Sequence, residues 1–465
     1  MRPDHTIRKV QHMDTTSYDA IIIGFGKGGK TLAGALASRG EHVALIERDP
    51  HMYGGTCINV GCIPSKSLIT QAEHRTWTDA VAEKRRVVEM LRGKNLAKLQ
   101  NAGVDVITAT AAFAGPHEVT ITGELDANSQ PLPERVLTAS RIFINTGSTP
   151  VIPPIPGLSA CTRALTSDAV MDLDELPERL AIIGGGYIGL EFASMFARYG
   201  SQVTVFERGN RVAGREDEDV SDQICQILEA QGVTFELESA VTGVRDTDGT
   251  NNAATVSFTD STGTEREMTA DIILVATGRR ANTEHLNLAA AGIDTDTRGT
   301  IIVDEHLRTS AEGVWALGDV KGGLQFTYIS LDDYRIVANQ LFGDGTRTTE
   351  NRGNVAFSVF IAPTFSHVGI REREAEQAGR NVRVFHLPVA AVPKAHVLGK
   401  PMGLMKAVVD VDTDRILGAS IISSASEELI NFVALAMDQD LPYQAVRDHI
   451  FTHPTMSEAL NDLFA

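Results

Sequence analysis

Tyr18-Asp-Ala-Ile-Ile-Ile-Gly24-Phe-Gly26-Lys-Gly-Gly29 is the stretch on which the fold turns. Tyr18–Gly24 reads as a short buried strand, and Lys30–Ser38 continues it as a helix. Gly24, Gly26 and Gly29 meet the pattern G-x-G-x-x-G. A second apolar strand, His42–Ile46, ends at Glu47, 23 positions after Gly24. Each part has a task in a dinucleotide site. The first two glycines permit the turn and let the backbone approach a pyrophosphate. The third packs helix on strand, and the helix N-terminus faces the phosphates. The carboxylate of Glu47 is placed to accept from ribose hydroxyls. Glycine turns alone are common; strand, glycines, helix, strand and acid in this order are not.

The device recurs. Leu180–Ile183 is a strand, Gly184-Gly-Gly186-Tyr187-Ile188-Gly189 the turn, and Leu190 to about Tyr199 a helix. The strand Gln202–Phe206 ends at Glu207, again 23 positions after Gly184. Two fingerprints predict two dinucleotides, one delivering hydride and one accepting it. Glu207 favours a free ribose 2′-hydroxyl, hence NADH over NADPH, although Arg208 and Arg211 blunt that preference. Arg141–Pro150 and Ile272–Arg280 each run as a buried strand into Thr-Gly, at Thr146-Gly147 and Thr277-Gly278, and read as crossings between nucleotide domains. Val314–Asp319 is a short strand ending in an acid suited to polyol hydroxyls. From Thr327 to about Leu341 a helix is expected, its N-terminus suited to electron-rich flavin atoms. Taken singly, each of these is also an ordinary buried strand and turn.

Cys57 and Cys62 lie in Gly54-Gly-Thr-Cys-Ile-Asn-Val-Gly-Cys-Ile-Pro-Ser-Lys66. Pro64 marks the first turn of a helix, so a loop cysteine and a first-turn cysteine come within reach of a disulfide. The helix N-terminus lowers a thiol pKa and makes the reduced pair reactive. A structural disulfide is the plainer reading, but chains of intracellular character seldom use one. A zinc half-site needs two further ligands, which Cys161 and Cys225 do not offer at suitable spacing. A redox-active disulfide is the favoured reading, and no metal site is assigned.

Composition limits the partners. A chain of 465 residues suggests about three domains. Its 42 basic and 60 acidic residues, net charge −18, argue against nucleic acid and anionic membrane. No apolar run approaches the ~20 residues of a membrane helix. Met1–Ser17 is polar and of mixed charge, without the apolar core of a secretory signal; it is expected to be a tail, with Met13 an alternative start. A cytoplasmic address follows as the default.

These motifs together resemble the class I flavoprotein disulfide reductases, the FAD-dependent family of lipoamide dehydrogenase, glutathione reductase and mercuric reductase. The resemblance runs from Tyr18 to Ala465 and includes Phe451-Thr-His-Pro-Thr-Met-Ser-Glu458. It implies an α/β chain with two Rossmann-like domains and a C-terminal α+β dimerisation domain: residues 18–158 and 282–345 for FAD, 159–281 for NAD(P)H, and 351–465 for the interface. It assigns FAD to Gly24, Gly26, Gly29, Glu47, Gly55, Thr56, Lys66, Thr146, Gly147, Gly318, Asp319 and Thr327. It assigns NADH or NADPH to Gly184, Gly186, Tyr187, Ile188, Gly189, Glu207 and Gly278. Hydride would pass from nicotinamide to flavin, and the flavin would open the Cys57–Cys62 disulfide. Cys62 would be the charge-transfer thiol and Cys57 the outer nucleophile. Lys66 would pair with Glu191 beside the flavin, and Tyr187 would cover the nicotinamide pocket. Glu458 would orient His453, whose imidazole shuttles the thiol proton in the partner subunit's site, so a homodimer is expected.

Gly24–Ala33, Met52–Lys66, Gly322–Val337 and Ser457–Phe464 most resemble the bacterial reactive-chlorine-response flavoproteins, which implies reduction of a small oxidant, hypothiocyanous acid (HOSCN). Dihydrolipoamide dehydrogenase and a Cu(II) or other metal-ion reductase are the alternatives. A catalytically silent FAD-binding sensor is disfavoured by the intact His453–Glu458 motif. Two departures from the family stand out: Gly418-Ala419-Ser420 where relatives read Gly-x-His, and Ala281 in place of a proline.

Overall fold

The computed structural model describes residues 15–126, 128–247 and 253–465, and the chain divides into two compact units. The expected polar tail falls mostly outside the described residues. Where it overlaps them it is corrected: Thr15–Ser17 belong to the strand Thr15–Ile23, whose Thr15 pairs with Val136. The β-branched threonines extend the strand because a neighbouring strand accepts their backbone.

The first unit comprises residues through Pro64, Arg85–Thr149 and Arg279–Asn351. Its sheet runs Asp105–Thr108, Val43–Glu47, Thr15–Ile23 and Arg135–Ile144 in parallel, and Val314–Ala316 pairs parallel to the end of the last. Glu118–Thr122 and Thr110–Gly115 continue it antiparallel. The central strands are buried on both faces, which explains the unbroken apolar run Ala20–Ile23. The helix Lys27–Ala37 buries Leu32, Ala33 and Leu36 on one face, against the core that Phe143 and Ile336 also line. It begins three residues earlier than expected, because Gly28 and Gly29 are drawn into its first turn.

The second unit comprises Ser65–Lys84, Pro150–Gly278 and Arg352–Ala465. Five parallel strands, in the order Val233–Glu236, Gln202–Phe206, Arg179–Ile183, Ile272–Val275 and Ala164–Leu165, carry the second fingerprint. A five-stranded antiparallel sheet follows, ordered Phe357–Val359, Phe365–Gly369, Ile416–Ile422, Leu404–Asp410 and Val382–Pro388. Ile416–Ile422 leads to the helix Ser426–Asp438, whereas Leu404–Asp410 turns back as a hairpin. The Asp410 carboxylate accepts from the Asp412 and Thr413 N–H groups at 3.1 and 2.9 Å, closing an Asx-type turn. Among the described residues no helix is long and apolar enough to cross a membrane.

Candidate active site

In the first unit the fingerprint is locked by residues from distant parts of the chain. Gly24 has φ +99°, and a Cβ there would lie 2.5 Å from the Asn145 carbonyl oxygen. A Cβ on Gly26 would meet Asn145 Oδ1 at 2.3 Å, and one on Gly29 would meet Ile22 Cγ2 at 2.9 Å. The Gly29 N–H donates to Asn145 Oδ1 at 2.8 Å and the Gly28 N–H to Ser330 Oγ at 3.0 Å. Asn145 Nδ2 donates to the Leu317 carbonyl at 2.6 Å, so this buried amide joins three segments. Glu47 accepts from the Phe25 N–H at 3.1 Å. Burial raises its pKa, opposed by the Phe25 and Asp49 N–H groups.

Asn145 and Ser330 were missed in the sequence. The available signal was a polar residue directly after the buried strand Ile142-Phe-Ile144, and a serine on the inner face of a helix.

The same unit holds the other residues expected for a flavin except Lys66, which belongs to the second unit. Asp319 accepts from Ser148 Oγ at 2.8 Å, and Ser148 Oγ accepts from Arg279 Nε at 2.9 Å. Burial holds the Asp319 carboxyl above the ordinary aspartate range, against the Ser148 bond and the Arg279 charge. The Gly318 N–H donates to the wholly buried Asp333 at 2.7 Å. Thr146 Oγ1 donates to the Asn282 carbonyl, and the Asn282 N–H donates to the Gly147 carbonyl. The helix Thr327–Phe342 starts without a side-chain cap or an acid in its first turn, so its positive end suits an electron-rich partner.

Cys62 Sγ lies 3.8 Å from Thr327 Oγ1, which brings one cysteine to that helix start. Cys62 opens the helix Cys62–Gln71, as expected. Cys57 departs from its expected loop, since Thr56–Asn59 forms a turn of helix. The cause is local: the Val60 N–H closes on the Thr56 carbonyl, and Asn59 Nδ2 donates to the Tyr53 and Gly55 carbonyls at 3.0 and 2.9 Å. A Cβ on Gly61 would sit 3.0 Å from the Thr56 carbonyl oxygen and 3.4 Å from Cys57 Cα, so the chain between the two cysteines is folded tightly. Gly55, at φ +82°, stacks on the first fingerprint: its Cβ would lie 2.8 Å from Gly26 Cα.

In the second unit Gly184 repeats Gly24: φ is +114°, and its Cβ would meet the Ala276 carbonyl oxygen at 2.6 Å. Gly189 packs against Gly184 as Gly29 does against Gly24. The Gly185 N–H donates to Glu207 Oε2 at 2.8 Å. Gly186 is exposed with nothing near its Cβ direction, Ile188 packs on the core, and Gly278 has φ +111° in an exposed turn. Tyr187 opens the helix Tyr187–Tyr199 and packs at a tilt against Phe357, with ring centroids 5.2 Å apart. Its hydroxyl donates to Glu216, which Arg371 grips through two bonds of 2.9 and 2.7 Å. Burial, with Glu216 alongside, raises the Tyr187 pKa.

Lys66 and Glu191 meet as expected: Lys66 Nζ donates to both carboxylate oxygens at 3.0 and 2.8 Å. Glu191 also accepts from the Phe360 N–H at 2.8 Å. His453 Nδ1 lies 3.0 and 2.9 Å from the two Glu458 oxygens. With the carboxylate accepting the Nδ1 proton, Nε2 is left to exchange protons, and the ring is 69 % exposed. Ser420 bonds the buried His367 Nδ1 across the sheet at 2.9 Å. Burial pushes the Cys161 thiol up, and the Cys225 thiol to about 12; neither is a thiolate near neutrality.

The model of the pyridine nucleotide-disulphide oxidoreductases matches residues 18–333, and that of their dimerisation domain matches 355–464. The chain belongs to this family. It is 46% identical over 450 residues to the probable pyridine nucleotide-disulfide oxidoreductase RclA of Escherichia coli, spanning 96% of this chain and 99% of that one. It is 32% identical to a glutathione reductase of Burkholderia cepacia, spanning 96% and 98%. A solved structure described as the Cu(II) complex of the HOCl-induced flavoprotein disulfide reductase RclA from Escherichia coli superposes with a TM-score of 0.91 at 46% identity, spanning 97% and 99%. The protein is therefore a pyridine nucleotide-disulfide oxidoreductase, an enzyme family that uses FAD and NAD(P)H. The residues present fit the flavin. Gly26 and Gly28 have no room for a Cβ against Asn145 and Ser330, which keeps the loop backbone bare, and the helix Thr327–Phe342 starts with no acid and no side-chain cap at its positive end.

Proposed function

We propose that this oxidoreductase reduces hypothiocyanous acid to thiocyanate with electrons from NADH, using Cys57 and Cys62 as its dithiol. The observation that carries the reading is Cys62 Sγ placed at the Thr327 helix start, with Cys57 one tight turn away. Bound FAD supplies the two-electron relay between nicotinamide and the disulfide. Gly24, Gly26, Gly29, Glu47, Gly55, Thr56, Lys66, Thr146, Gly147, Gly318, Asp319 and Thr327 hold it. The second fingerprint, with Gly184, Gly186, Tyr187, Ile188, Gly189, Glu207 and Gly278, takes the nicotinamide nucleotide.

The Cys57 thiolate attacks the sulfur of HOSCN, forming Cys57–S–SCN as the S–O bond breaks. The departing hydroxide takes a proton from the His453 imidazolium and leaves as water. The Cys62 thiolate then attacks the Cys57 sulfur, expels thiocyanate and restores the disulfide. Overall, NADH and HOSCN yield NAD⁺, thiocyanate and water.

The dimerisation domain supports a homodimer in which His453 serves the partner subunit's dithiol. On the C-terminal region Phe432, Leu435 and Ile450 are 49%, 60% and 92% exposed, an apolar surface suited to a second copy. The domain limits 18–158 with 282–345, 159–281 and 351–465, and a cytoplasmic address, belong to the same proposal.

One observation favours a second reading. The 46%-identical relative has been solved as a Cu(II) complex, so reduction of Cu(II) by the dithiol or flavin is the alternative. Anaerobic NADH oxidation by the holoenzyme with HOSCN, dihydrolipoamide's oxidised form or Cu(II) as acceptor decides between them. The expected result is preference for HOSCN and, for Cys57→Ser, turnover reduced by about 10³-fold or more while NADH still bleaches the flavin. Full turnover of Cys57→Ser sinks the reading.

A further inference from the structure

Tyr187, the first residue of the helix after the second glycine loop, is fixed at both ring and hydroxyl by residues far off in sequence. Its ring packs at a tilt on Phe357, and its hydroxyl donates to Glu216. Glu216 is wholly buried, and Arg371 grips it at two points, Nε on Oε2 at 2.9 Å and Nη2 on Oε1 at 2.7 Å. Arg371 is held in turn by Glu374, whose carboxylate accepts from the Arg371 N–H at 2.9 Å and from Nη1 at 3.3 Å. Phe357 and Arg371 fall within residues 355–464, matched by the dimerisation domain, and Tyr187 and Glu216 within 18–333. All four lie in the second unit.

The turn that carries Glu216 has holds that do not use its carboxylate. The Ala213 N–H donates to the Gly185 carbonyl of the glycine loop at 2.9 Å, and the Glu216 N–H to the Ala213 carbonyl at 2.8 Å. Arg373 Nη1 donates to the Gly214 carbonyl at 3.2 Å. Asp217 accepts from the Glu372 and Arg373 N–H groups at 3.1 and 3.2 Å, and the buried Lys406 Nζ lies 3.1 Å from it. A buried ion pair is by itself weak evidence for stability, and this one ends on a phenol beside a nucleotide loop. Packing on one side and a tether at the hydroxyl select one rotamer. Tyr187 nevertheless stays half-buried, next to the exposed Gly186, so ring surface remains open there.

We propose that Glu216 and Arg371 are positioning residues for hydride delivery. Through the Tyr187 hydroxyl they hold the phenol ring in one orientation, and the nicotinamide ring is aligned against that fixed wall. The inference rests on the reading that the second loop takes NADH and that Tyr187 covers its nicotinamide.

The test is the rate at which NADH bleaches the flavin of the holoenzyme in anaerobic stopped flow, extrapolated to saturating NADH. Tyr187→Phe removes the tether, leaves the ring and the ion pair, and should slow this step about tenfold. Arg371→Lys keeps the charge, gives up the two-point grip, and should slow it about threefold. The double variant should be no slower than Tyr187→Phe, because Arg371 acts on the nucleotide only through that hydroxyl. A merely structural Arg371 would instead slow reduction by the same factor in either background, which overturns the proposal. So does a Tyr187→Phe protein that matches or exceeds the wild-type rate while Tyr187→Ala is slow. Tyr187→Ala at the wild-type rate sinks the placement of Tyr187 at the nicotinamide, and the proposal with it. Should Arg371→Lys fail to fold, the two Tyr187 variants decide.

Discussion

The two glycine fingerprints follow one pattern and are built to different tightness. In each, the first glycine presses on a carbonyl of the adjoining parallel strand, Asn145 for Gly24 and Ala276 for Gly184. In each, an acid at the end of the next strand, Glu47 or Glu207, accepts a loop N–H. Beyond that they part. The first is braced by Asn145 and Ser330 from segments more than 100 positions away, and Gly26 and Gly28 have no room for a side chain. The second has an exposed Gly186 with open space in front of it and, among the described residues, no such side-chain brace on its helix-starting amides. A braced cradle suits a resident flavin, and an open one suits a nucleotide that arrives and leaves each turnover. The difference lies in what the rest of the chain brings to the loop.

The contrast is broken most severely by placing the same methyl group in both loops. Gly26→Ala drives Cβ into the Asn145 amide and should lower flavin occupancy at least tenfold, about 1.4 kcal/mol or more, read from the ratio of flavin to protein absorbance. Gly186→Ala should purify with full flavin and show only weakened NADH binding. Equal flavin loss in both would erase the distinction. Asn145→Ala strands the Gly29 N–H and the Leu317 carbonyl in a buried site, costing about 1–3 kcal/mol for each group left unpaired. Its flavin should be released at a lower temperature in a fluorescence-monitored melt, whereas removing Glu207 should leave that melt unchanged. Glu207→Gln keeps the shape and removes the charge. KM for NADH should rise about tenfold, with NADPH affected less, as expected for a lost charged hydrogen bond. An unchanged ratio of the two KM values would show that Arg208 and Arg211, not Glu207, set the nucleotide preference.

Most of the architecture was legible because its signals are local. The unbroken apolar run before each glycine turn, and the acid 23 positions on, follow from parallel strands buried on both faces. Lys66 and Glu191, and His453 and Glu458, were named from motif positions, and each pair lies within hydrogen-bond distance in the structure. Cys57 was expected in a loop and lies in a helical turn, because the Asn59 amide and Gly61 tighten the segment in a way that spacing alone does not reveal. Asn145, Ser330, Asp333, Glu216 and Arg371 were not legible as site residues. Each is an ordinary polar side chain in sequence, given meaning by a partner at a distance, as Arg371 is by Glu216.

Chain order alone determined that two glycine-loop strand–helix units and a closely spaced cysteine pair at a helix start exist, because turn chemistry, helix starts and strand burial depend on neighbours a few positions apart. Only the tertiary structure decided which loop is braced by side chains from distant segments, and which acid, amide or guanidinium each site residue meets. Those properties come from side chains and carbonyls that meet across the sheet, where a buried donor or charge must find a partner and sequence distance carries no information.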